Sequence, residues 1–424
     1  MPGIFFYELP TLEKIDIDMS VASVPQTSAE WSMLALAGQD PFPTYDLLRK
    51  KGRVVWDQGM NCWLVLTYDL CKQVELDEGT YRITYADAPP LVFEIRGGEG
   101  LSALLGERHA RMRRVYLKLL APSAMPRYRD QHILPIINET IDRFADKGSV
   151  ELVSQFCEPI TGKVMASLFG LPWQDDALLN DMAGWHRDIV AWIGMKYFGE
   201  ELTRKAKLAC KELNAILLPR ILERRHNRGS DFVSLVWSQA EKDCGEVEVE
   251  DVLGVVRELA LGAGENTANA TANAIYLLLT NSAVREAVTR DQDGALSAFV
   301  EETFRLLGSV QFRYRVANRD VSLGDATIKK DDTICLVHAA ANRDSEHYGC
   351  PHMVDLGRPR LTDHLAFNVG PRVCVGMHLA RLEVRESLKA LITRCPDLRL
   401  DPSKEAPRFL DFYHRYFGPL HTLF

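Results

Sequence analysis

The sequence lacks the features that mark several large classes of protein. Its net charge is −8, so it has no basic excess of the kind that binds nucleic acid. No apolar run is long enough to span a membrane, and the N-terminus has neither the basic flank nor the cleavage site of a secretory leader. These absences predict a cytoplasmic protein with no nucleic-acid partner and no membrane partner.

The cysteines do not form a recognisable framework. There are nine of them, an odd number, and none has the Cys-x-x-Cys spacing, which disfavours both a disulfide scaffold and a zinc site. The chain also has no Gly-x-Gly-x-x-Gly nucleotide fingerprint, no Ser/Gly linker and no internal repeat. A hydrophobic fraction of 46% over 424 residues is enough for one large core, or for several small ones.

The periodicity of apolar residues predicts a mainly helical chain with small β-sheets. Residues 41–85 include a small β region, in which Val54–Trp56 and Trp63–Leu66 form a hairpin. Residues 83–100, with one Pro-Pro pair and one Gly-Gly pair, are expected to be a long loop and a candidate lid. The predicted helices cover Glu107–Leu120, Ala177–Phe198, residues 251–280, Ala298–Gly308 and the stretch after the cysteine loop.

Residues 367–376, Phe-Asn-Val-Gly-Pro-Arg-Val-Cys-Val-Gly, predict a loop that holds one thiolate. Two glycines let the backbone turn and approach a flat ligand, and the proline stiffens the bend. Arg372 places a cation beside Cys374, which must be ionised to bind metal. Such a loop suits an axial thiolate on haem iron. The alternative is a buried structural cysteine in a Gly-Pro turn.

The spacing Phe-x-x-Gly-x-Arg-x-Cys-x-Gly resembles the haem-ligand signature of the cytochrome P450 monooxygenases. The resemblance implies the fold of that family, a single large domain over residues 1–424 with an N-terminal extension at 1–40. The haem, expected to be haem b, would lie between the long helix at 251–280 and the loop at 367–376. Cys374 would be the axial ligand of its iron, with Phe367, Arg372 and Gly376 beside it.

Further cations are implied as ligands of the two haem propionates. His109 and Arg113 are one turn apart on a predicted helix, where a solvated polar edge is the alternative explanation. His-x-x-x-Arg at this place resembles the family's propionate-binding helix. Arg315, on a predicted strand, resembles the arginine that reaches a propionate, and His364, ten residues before Cys374, is the remaining candidate.

The long helix carries Ala-Gly-Glu-Asn-Thr at 263–267, which resembles the family's oxygen-binding motif. In the family a threonine assists dioxygen and an acid before it supplies protons, so Thr267, Asn266 and Glu265 are the catalytic candidates. Asn266 stands where the family usually has Asp or Glu, and an amide has no ionisable proton. Water could bypass Asn266, Glu265 could replace it, or peroxide could be the oxidant.

The two glycines of this helix, Gly262 and Gly264, are each expected to cost about 1 kcal/mol relative to alanine. They indicate that something flat lies against the helix or that the helix locally unwinds, with close helix packing as the alternative. The predicted substrate pocket is mainly apolar. Its residues are Leu259, Gly262, Ala263, Gln311 and Phe312.

Two further groups of charged residues are singled out by the resemblance. Glu302, Arg305 and Arg358 would form the family's structural ion-pair group, which serves folding and haem retention. On the helix at Glu107–Leu120, a basic stripe could dock an acidic electron donor, or could simply be solvated. The stripe consists of Arg111, Arg114 and Lys118.

The resemblance implies a monooxygenase that inserts one oxygen atom of O2 into a C–H bond of a small organic substrate, by hydroxylation or O-dealkylation. An aromatic or terpenoid substrate is the hypothesis. Electrons would come from a ferredoxin and an NAD(P)H-dependent ferredoxin reductase, because the chain has no flavin domain of its own. A peroxide-using peroxygenase or another haem-thiolate enzyme is the alternative, and a non-catalytic haem sensor is a third possibility.

Overall fold

The computed structural model describes residues 32–33, 39–194 and 199–424, and most of this chain is helical. The predicted extension at 1–40 lies almost entirely outside the described residues. Two π-helical turns, at Arg129–Ile133 and Val153–Cys157, precede the sixth and seventh helices. The helices are α1 Phe42–Lys51, α2 Tyr68–Leu76, α3 Pro90–Arg96, α4 Gly106–Leu119, α5 Met125–Tyr128, α6 Leu134–Asp142, α7 Glu158–Leu168, α8 Asp176–Gly194, α9 Glu200–His226, α10 Phe232–Cys244, α11 Val249–Thr280, α12 Ser282–Arg290, α13 Gly294–Leu307, α14 His338–Ala341 and α15 Met377–Arg394.

The strands are short and form four small sheets. The largest has five strands in the order β1-β2-β8-β5-β3. In this sheet β2 pairs with β8 in parallel, and the other neighbouring strands are antiparallel. The others are β4-β12-β9, β6-β7 and β10-β11. The strands are β1 Val54–Asp57, β2 Cys62–Val65, β3 Tyr81–Ile83, β4 Ser149–Glu151, β5 Arg313–Ala317, β6 Val321–Leu323, β7 Ala326–Ile328, β8 Thr333–Leu336, β9 Arg399–Leu400, β10 Arg408–Leu410, β11 Tyr416–Gly418 and β12 His421–Leu423.

The mainly helical architecture with small sheets confirms the predicted fold class. The hairpin of β1 and β2 is present, with Val55 opposite Leu64, and Asn61 adopts the left-handed conformation that its turn requires. Helix α4 begins within one residue of its predicted start. The predicted helix at Ala177–Phe198 is α8, and the last four residues of the prediction, 195–198, lie outside the described residues.

The stretch at 83–100 is not the long loop that its turn residues predicted. Helix α3 begins at Pro90, where a proline is favoured in the first turn, and ends at Gly97 with φ of 81°. Val92 and Ile95, on one face of α3, are fully buried. The burial of these two apolar residues on one face of α3 therefore outweighs the turn signals on either side of the helix.

Helix α11 crosses the molecule as one uninterrupted helix of 32 residues. It begins at a capping box, in which Glu248 and Asp251 each accept from the other's backbone N–H. Local unwinding at its glycines, one of the explanations left open by the sequence, does not occur. A Cβ on Gly264 would lie 3.2 Å from His186, so α8 packs closely there, whereas a Cβ on Gly262 would meet nothing within 4 Å.

The main hydrophobic core surrounds α11, which contacts α7, α9, α13 and α15. A second cluster lies between α1 and the five-stranded sheet, and includes Phe42, Leu64 and Phe312. A third occupies the other side of that sheet, around Trp63 and Tyr81. None of the described helices is long and apolar enough to cross a membrane.

Candidate active site

The loop before α15 holds Cys374 by its own backbone. The Cys374 N–H donates to the carbonyl of Phe367 at 2.8 Å, which closes the loop around the cysteine. Gly370 has φ of 69°, and a Cβ there would lie 2.8 Å from Leu76 and 3.3 Å from the carbonyl of Glu75. Only glycine fits this position, because the loop must pass directly over the end of α2.

The surroundings of the Cys374 sulfur are dominated by burial and by cations. Burial raises the pKa of this thiol above its ordinary value. The Gly376 amide and the guanidinium groups of Arg313, Arg381 and Arg113 oppose that rise. The sulfur therefore lies among groups that favour a thiolate, which is the form that binds metal.

The structure brings the predicted propionate ligands, except His364, into one group of basic side chains beside the cysteine loop, which we call the cationic group after its three arginines. Burial, followed by the charges of Arg372 and Arg113, lowers the pKa of His109 to about 4. Burial also lowers the pKa of Arg315, and Arg372 is among the cations that act on it. Within the described part of the chain, His109 Nε2 and Arg315 Nε are buried and have no hydrogen-bond partner.

This cationic group fits the haem expected from the sequence. Buried polar atoms are normally hydrogen-bonded, so these two unpartnered nitrogens fit an anion that the polypeptide does not supply, with His109 in the tautomer that donates from Nε2. Haem carries two propionates, and a thiolate beside them is an axial ligand type for its iron. The residues that would hold the group are Cys374, His109, Arg113, Arg315 and Arg372.

Arg372 and Arg113 also bind the polypeptide around the site. Arg372 donates to Glu78 at 2.5 Å and to the carbonyls of Leu101 and Leu104. Arg113 donates to the carbonyl of Val373 at 2.7 Å. These contacts hold the cysteine loop, α2 and the start of α4 together on one side of the site.

His364 does not join this group, which corrects its assignment as a propionate ligand. Its Nε2 lies 3.1 Å from Glu301, and its Nδ1 accepts from the N–H of Ala366. Both ring nitrogens are therefore occupied within the protein. Glu301 also binds Arg381, so His364 forms part of an ionic contact between α13 and α15.

Phe367 packs inward beneath the cysteine loop. Its ring lies 4.7 Å from that of Phe304, and the guanidinium of Arg381 lies 4.6 Å from the ring centre. This aromatic contact fixes the first residue of the signature against α13, and so fixes the position from which the loop starts.

Asn266 is held by two hydrogen bonds in the middle of α11. Its Nδ2 donates to the carbonyl of Gly262 at 2.8 Å, and its Oδ1 accepts from the Ser309 hydroxyl at 3.3 Å. Ser309 follows α13 and is buried. Thr267, the next residue on α11, is buried too. The Asn266 side chain is thus part of a short series of hydrogen bonds from Ser309 to the Gly262 carbonyl. No feature of the sequence indicated Ser309 as its partner.

The Glu265 side chain points away from the hydrogen bonds of Asn266. Its carboxylate lies 3.2 Å from His414 Nδ1 and 3.9 Å from His186 Nε2. Burial acts to raise the pKa of Glu265, but His414, His186 and Arg187 outweigh it, and the pKa is held below its ordinary value. Two residues along a helix correspond to a rotation of about 200°, so Glu265 and Thr267 lie on opposite sides of α11. This placement does not support Glu265 as a substitute for the missing acid.

The predicted pocket residues divide into two groups. Gly262 and Ala263 are adjacent on α11, and the open space beside Gly262 is consistent with a pocket, whereas Leu259 is buried in the main core cluster. Gln311 is buried, donates to the carbonyl of Gly308 and leaves its Oε1 without a hydrogen-bond partner in the described chain. The assignment of Phe312 to the pocket is corrected, because this side chain is buried in the second core cluster. The centre of its ring lies 5.5 Å from that of Tyr314.

The predicted ion-pair group is present in the core. Arg305 binds both oxygens of Glu302, at 2.7 and 2.8 Å, and Arg358 binds Glu302 at 3.0 Å. All three side chains are buried. Arg305 also donates to three backbone carbonyls beyond α14, so α13 is attached to the segment that leads to the cysteine loop.

Two residues of the basic stripe on α4 contact the end of α10. Arg111 donates to the carbonyl of Cys244, and Lys118 binds Asp243 at 2.5 Å. Arg114 is exposed. Lys118 is itself 49% exposed, so the docking stripe stays a prediction for Arg114 and Lys118, whereas Arg111 is engaged by the end of α10.

Comparisons with known proteins agree with this site. A sequence profile described as Cytochrome P450 matches residues 175–411. The cytochrome P450 monooxygenase PikC of Streptomyces venezuelae is 31% identical over 376 residues, 86% of each chain. The C-19 steroid 1alpha-hydroxylase of Sorangium cellulosum is 31% identical over 319 residues, 73% of this chain and 77% of the hydroxylase.

Solved structures share the fold. CYP109E1 from Bacillus megaterium, in complex with testosterone, superposes with a TM-score of 0.79 at 26% identity, over 91% of this chain and 99% of its own. P450BioI, in complex with an acyl carrier protein that carries hexadec-9Z-enoic acid, superposes with a TM-score of 0.81 at 21% identity, over 91% of this chain and 98% of its own. At 21% identity, the similarity to P450BioI supports the fold alone.

The fold and the cysteine loop define an oxidoreductase of the haem-thiolate class. The chain belongs to the cytochrome P450 family. It is a P450 monooxygenase that carries haem, acts on a small-molecule substrate with O2, and receives electrons from redox partners.

Proposed function

We propose that this protein inserts one oxygen atom of O2 into a C–H bond of a small organic substrate, by hydroxylation or O-dealkylation. The observation that carries the proposal is Cys374, held in its closed loop beside a cationic group with two free buried donors. The haem, when bound through this thiolate, would supply the oxidising chemistry. An aromatic or terpenoid skeleton suits the apolar surface of α11 at Ala263, which is only partly buried, beside the open space at Gly262.

The cofactor is proposed to be haem b, held without a covalent bond. Covalent attachment of the c type uses Cys-x-x-Cys-His, and no two cysteines of this sequence have that spacing. Electrons are proposed to come from a ferredoxin and its NAD(P)H-dependent reductase in the cytoplasm, because the sequence contains no nucleotide fingerprint for a reductase of its own.

The test is the absorption spectrum of the dithionite-reduced holoprotein under carbon monoxide. We expect the strongly red-shifted Soret band of a thiolate-ligated haem, and its loss in Cys374→His. Cys350→Ser, which removes an exposed cysteine, is the matched control and should leave the band unchanged. A wild-type band typical of histidine ligation would contradict the proposal.

A peroxide-using enzyme is the second candidate, and Asn266 is the observation that favours it. Its amide is engaged by Gly262 and Ser309 and has no ionisable proton to deliver. Product formation with ferredoxin, reductase and NAD(P)H is compared with product formation from hydrogen peroxide alone. Monooxygenation predicts turnover in the first arm, and Asn266→Asp should then change the fraction of reductant that reaches product. Turnover with peroxide alone would favour the second candidate.

A further inference from the structure

Arg313 lies on the face of β5 that points toward the cysteine loop. Side chains alternate along a strand, and Phe312 and Tyr314 pack against the second core cluster. Arg313 and Arg315 therefore project to the opposite face together. The charge of Arg313 acts on the Cys374 sulfur, which places this guanidinium near the reaction centre.

Two tyrosines from distant parts of the chain surround Arg313. Its Nη1 donates to the Tyr413 hydroxyl, and the guanidinium carbon lies 5.8 Å from the centre of that ring. Strand β3 pairs with β5 as far as Ile83, which is opposite Arg315, so the next turn of chain brings Tyr85 alongside Arg313. Burial acts to lower the pKa of Arg313, but Tyr413, Tyr85 and Cys374 outweigh it, and the pKa is raised.

The charge of Arg313 is not balanced by the polypeptide. Among the described residues no carboxylate lies within ion-pair distance of it, and its hydrogen-bond partner is a neutral phenol. Arg96, which also binds Tyr85, has Glu258 at 2.9 Å, and Arg372 has Glu78. A buried charge that lacks a counter-ion is costly, so the site is built to receive an anion.

The haem propionates have their own cations, on the side of the site formed by α2, α4 and the cysteine loop. Arg315 belongs to that side, because Glu75, Glu78 and Arg372 act on it, and the charge of Arg313 reaches it as well. Arg313 is two residues along β5, and its neighbours are instead the two tyrosines of the pocket wall. The two arginines therefore serve different groups.

We infer that the substrate of this enzyme carries a carboxylate that binds Arg313 and Tyr413. The inference rests on the proposed function and names the class of its substrate. The guanidinium donates to one carboxylate oxygen, and the Tyr413 hydroxyl, while accepting from Arg313, can donate to the other. The substrate skeleton then extends toward the open space beside Gly262.

The test uses the holoprotein and matched pairs of an acid and its methyl ester: 4-ethylbenzoic acid, geranic acid and dodecanoic acid. Each compound is titrated at pH 7.5 and the spin-state change of the haem Soret band is followed. A charge-assisted hydrogen bond stabilises binding enough to make an acid about tenfold tighter than its ester. We expect that difference in at least one pair, and we expect Arg313→Gln to abolish it while the ester binds as before.

Three controls make the result decisive. Arg82→Gln, which removes an arginine of β3 that is paired with Asp87 and Asp331, should leave the preference for the acid intact. Arg313→Lys should retain part of it. Arg315→Gln should lower the haem content, measured by pyridine haemochromogen, whereas Arg313→Gln should not.

Two outcomes would overturn the inference. One is that no acid binds more tightly than its ester. The other is that Arg313→Gln loses haem as Arg315→Gln does, which would make Arg313 a propionate ligand. Either outcome leaves the thiolate Soret band of the wild-type holoprotein under carbon monoxide intact, so failure of the inference is distinguishable from failure of the proposed function.

Discussion

At the residue scale, several acidic and amide side chains have roles that their environment sets. Asn266 acts as donor and acceptor at once, which a carboxylate in the same place could not do toward the Gly262 carbonyl. Burial acts to raise the pKa of Glu265, its neighbour in sequence, but His414, His186 and Arg187 on the other side of α11 hold that pKa below its ordinary value. Glu383 on α15 is the opposite case. It is buried, and its described partner is the hydroxyl of Thr161 at 2.9 Å.

Glu383 makes the stability of the protein depend on pH. Burial raises its pKa to about 7, against the ordinary value of 4.5, while the Thr161 hydroxyl opposes the shift. The folded state therefore holds a proton that the unfolded state releases between pH 4.5 and 7. The contribution of protonated Glu383 to the free energy of unfolding is fully present below pH 4.5 and is lost as the pH rises to about 7. At about 1.4 kcal/mol per pKa unit, the loss is on the order of 3 kcal/mol.

Glu383→Gln should remove that loss. We expect the variant to be more stable than the wild type at pH 8 and to differ little near pH 5, as measured by thermal unfolding of the holoprotein. Thr161→Val removes the hydrogen bond that favours the ionised form, so it should extend the loss to higher pH. Equal unfolding temperatures for wild type and Glu383→Gln at pH 8 would show that this carboxyl is ionised without cost.

At the element scale, α13 connects the core to the segment that carries the cysteine. Glu302 accepts from Arg305 on its own helix and from Arg358, fifty-three residues beyond Arg305, and also from the Asp355 N–H at 2.9 Å. Burial acts to raise the pKa of Glu302, but the two arginines outweigh it and hold the pKa below its ordinary value. The group is therefore ionic in the core.

Glu302→Gln should destabilise the protein by about 3–5 kcal/mol, because it leaves two buried guanidinium groups without a counter-ion. The measurement is the midpoint of thermal unfolding, together with the rate at which haem is lost to apomyoglobin. Glu286→Gln breaks a pair of the same chemistry on α12, whose side chains are 73% and 74% exposed, and should change stability by less than about 0.5 kcal/mol. Similar losses in both variants would contradict the argument.

At the scale of the whole molecule, the C-terminal residues return to α11 and complete the site. Asn273 donates to the carbonyls of Leu307 and Arg415 and accepts from the Phe417 N–H, at 2.8, 3.1 and 2.9 Å. Asn269, one turn earlier, donates to the carbonyl of His414 at 3.2 Å. Two amides on one face of α11 thus position the turn that contains Tyr413 and His414.

Asn273→Ala should cost about 3 kcal/mol or more, because it leaves three buried backbone groups without partners. It should also weaken the binding of substrate, since the turn that bears Tyr413 loses its attachment. Asn269→Ala removes one hydrogen bond and should cost about 1 kcal/mol. Thermal unfolding and ligand titration of the two variants check this order, and a larger effect of Asn269→Ala would contradict it.

Much of the site could be predicted from the sequence, because its central parts are local. The spacing around Cys374 specifies a turn that closes on its own backbone, and the periodicity of residues 251–280 specifies a helix. His109 and Arg113 share a face of α4 for the same reason. The long helix, the loop and the order of the motifs were therefore determined by the sequence alone.

Only the tertiary structure decided which distant groups meet. Arg313 and Tyr413 are 100 residues apart, Glu265 and His414 are 149 apart, and Asn266 and Ser309 are 43 apart. The direction in which Phe312 and His364 point depends on what the neighbouring helices and strands present to them. Periodicity within one element carries no information about such partners, because contacts between elements are set by packing of the whole core.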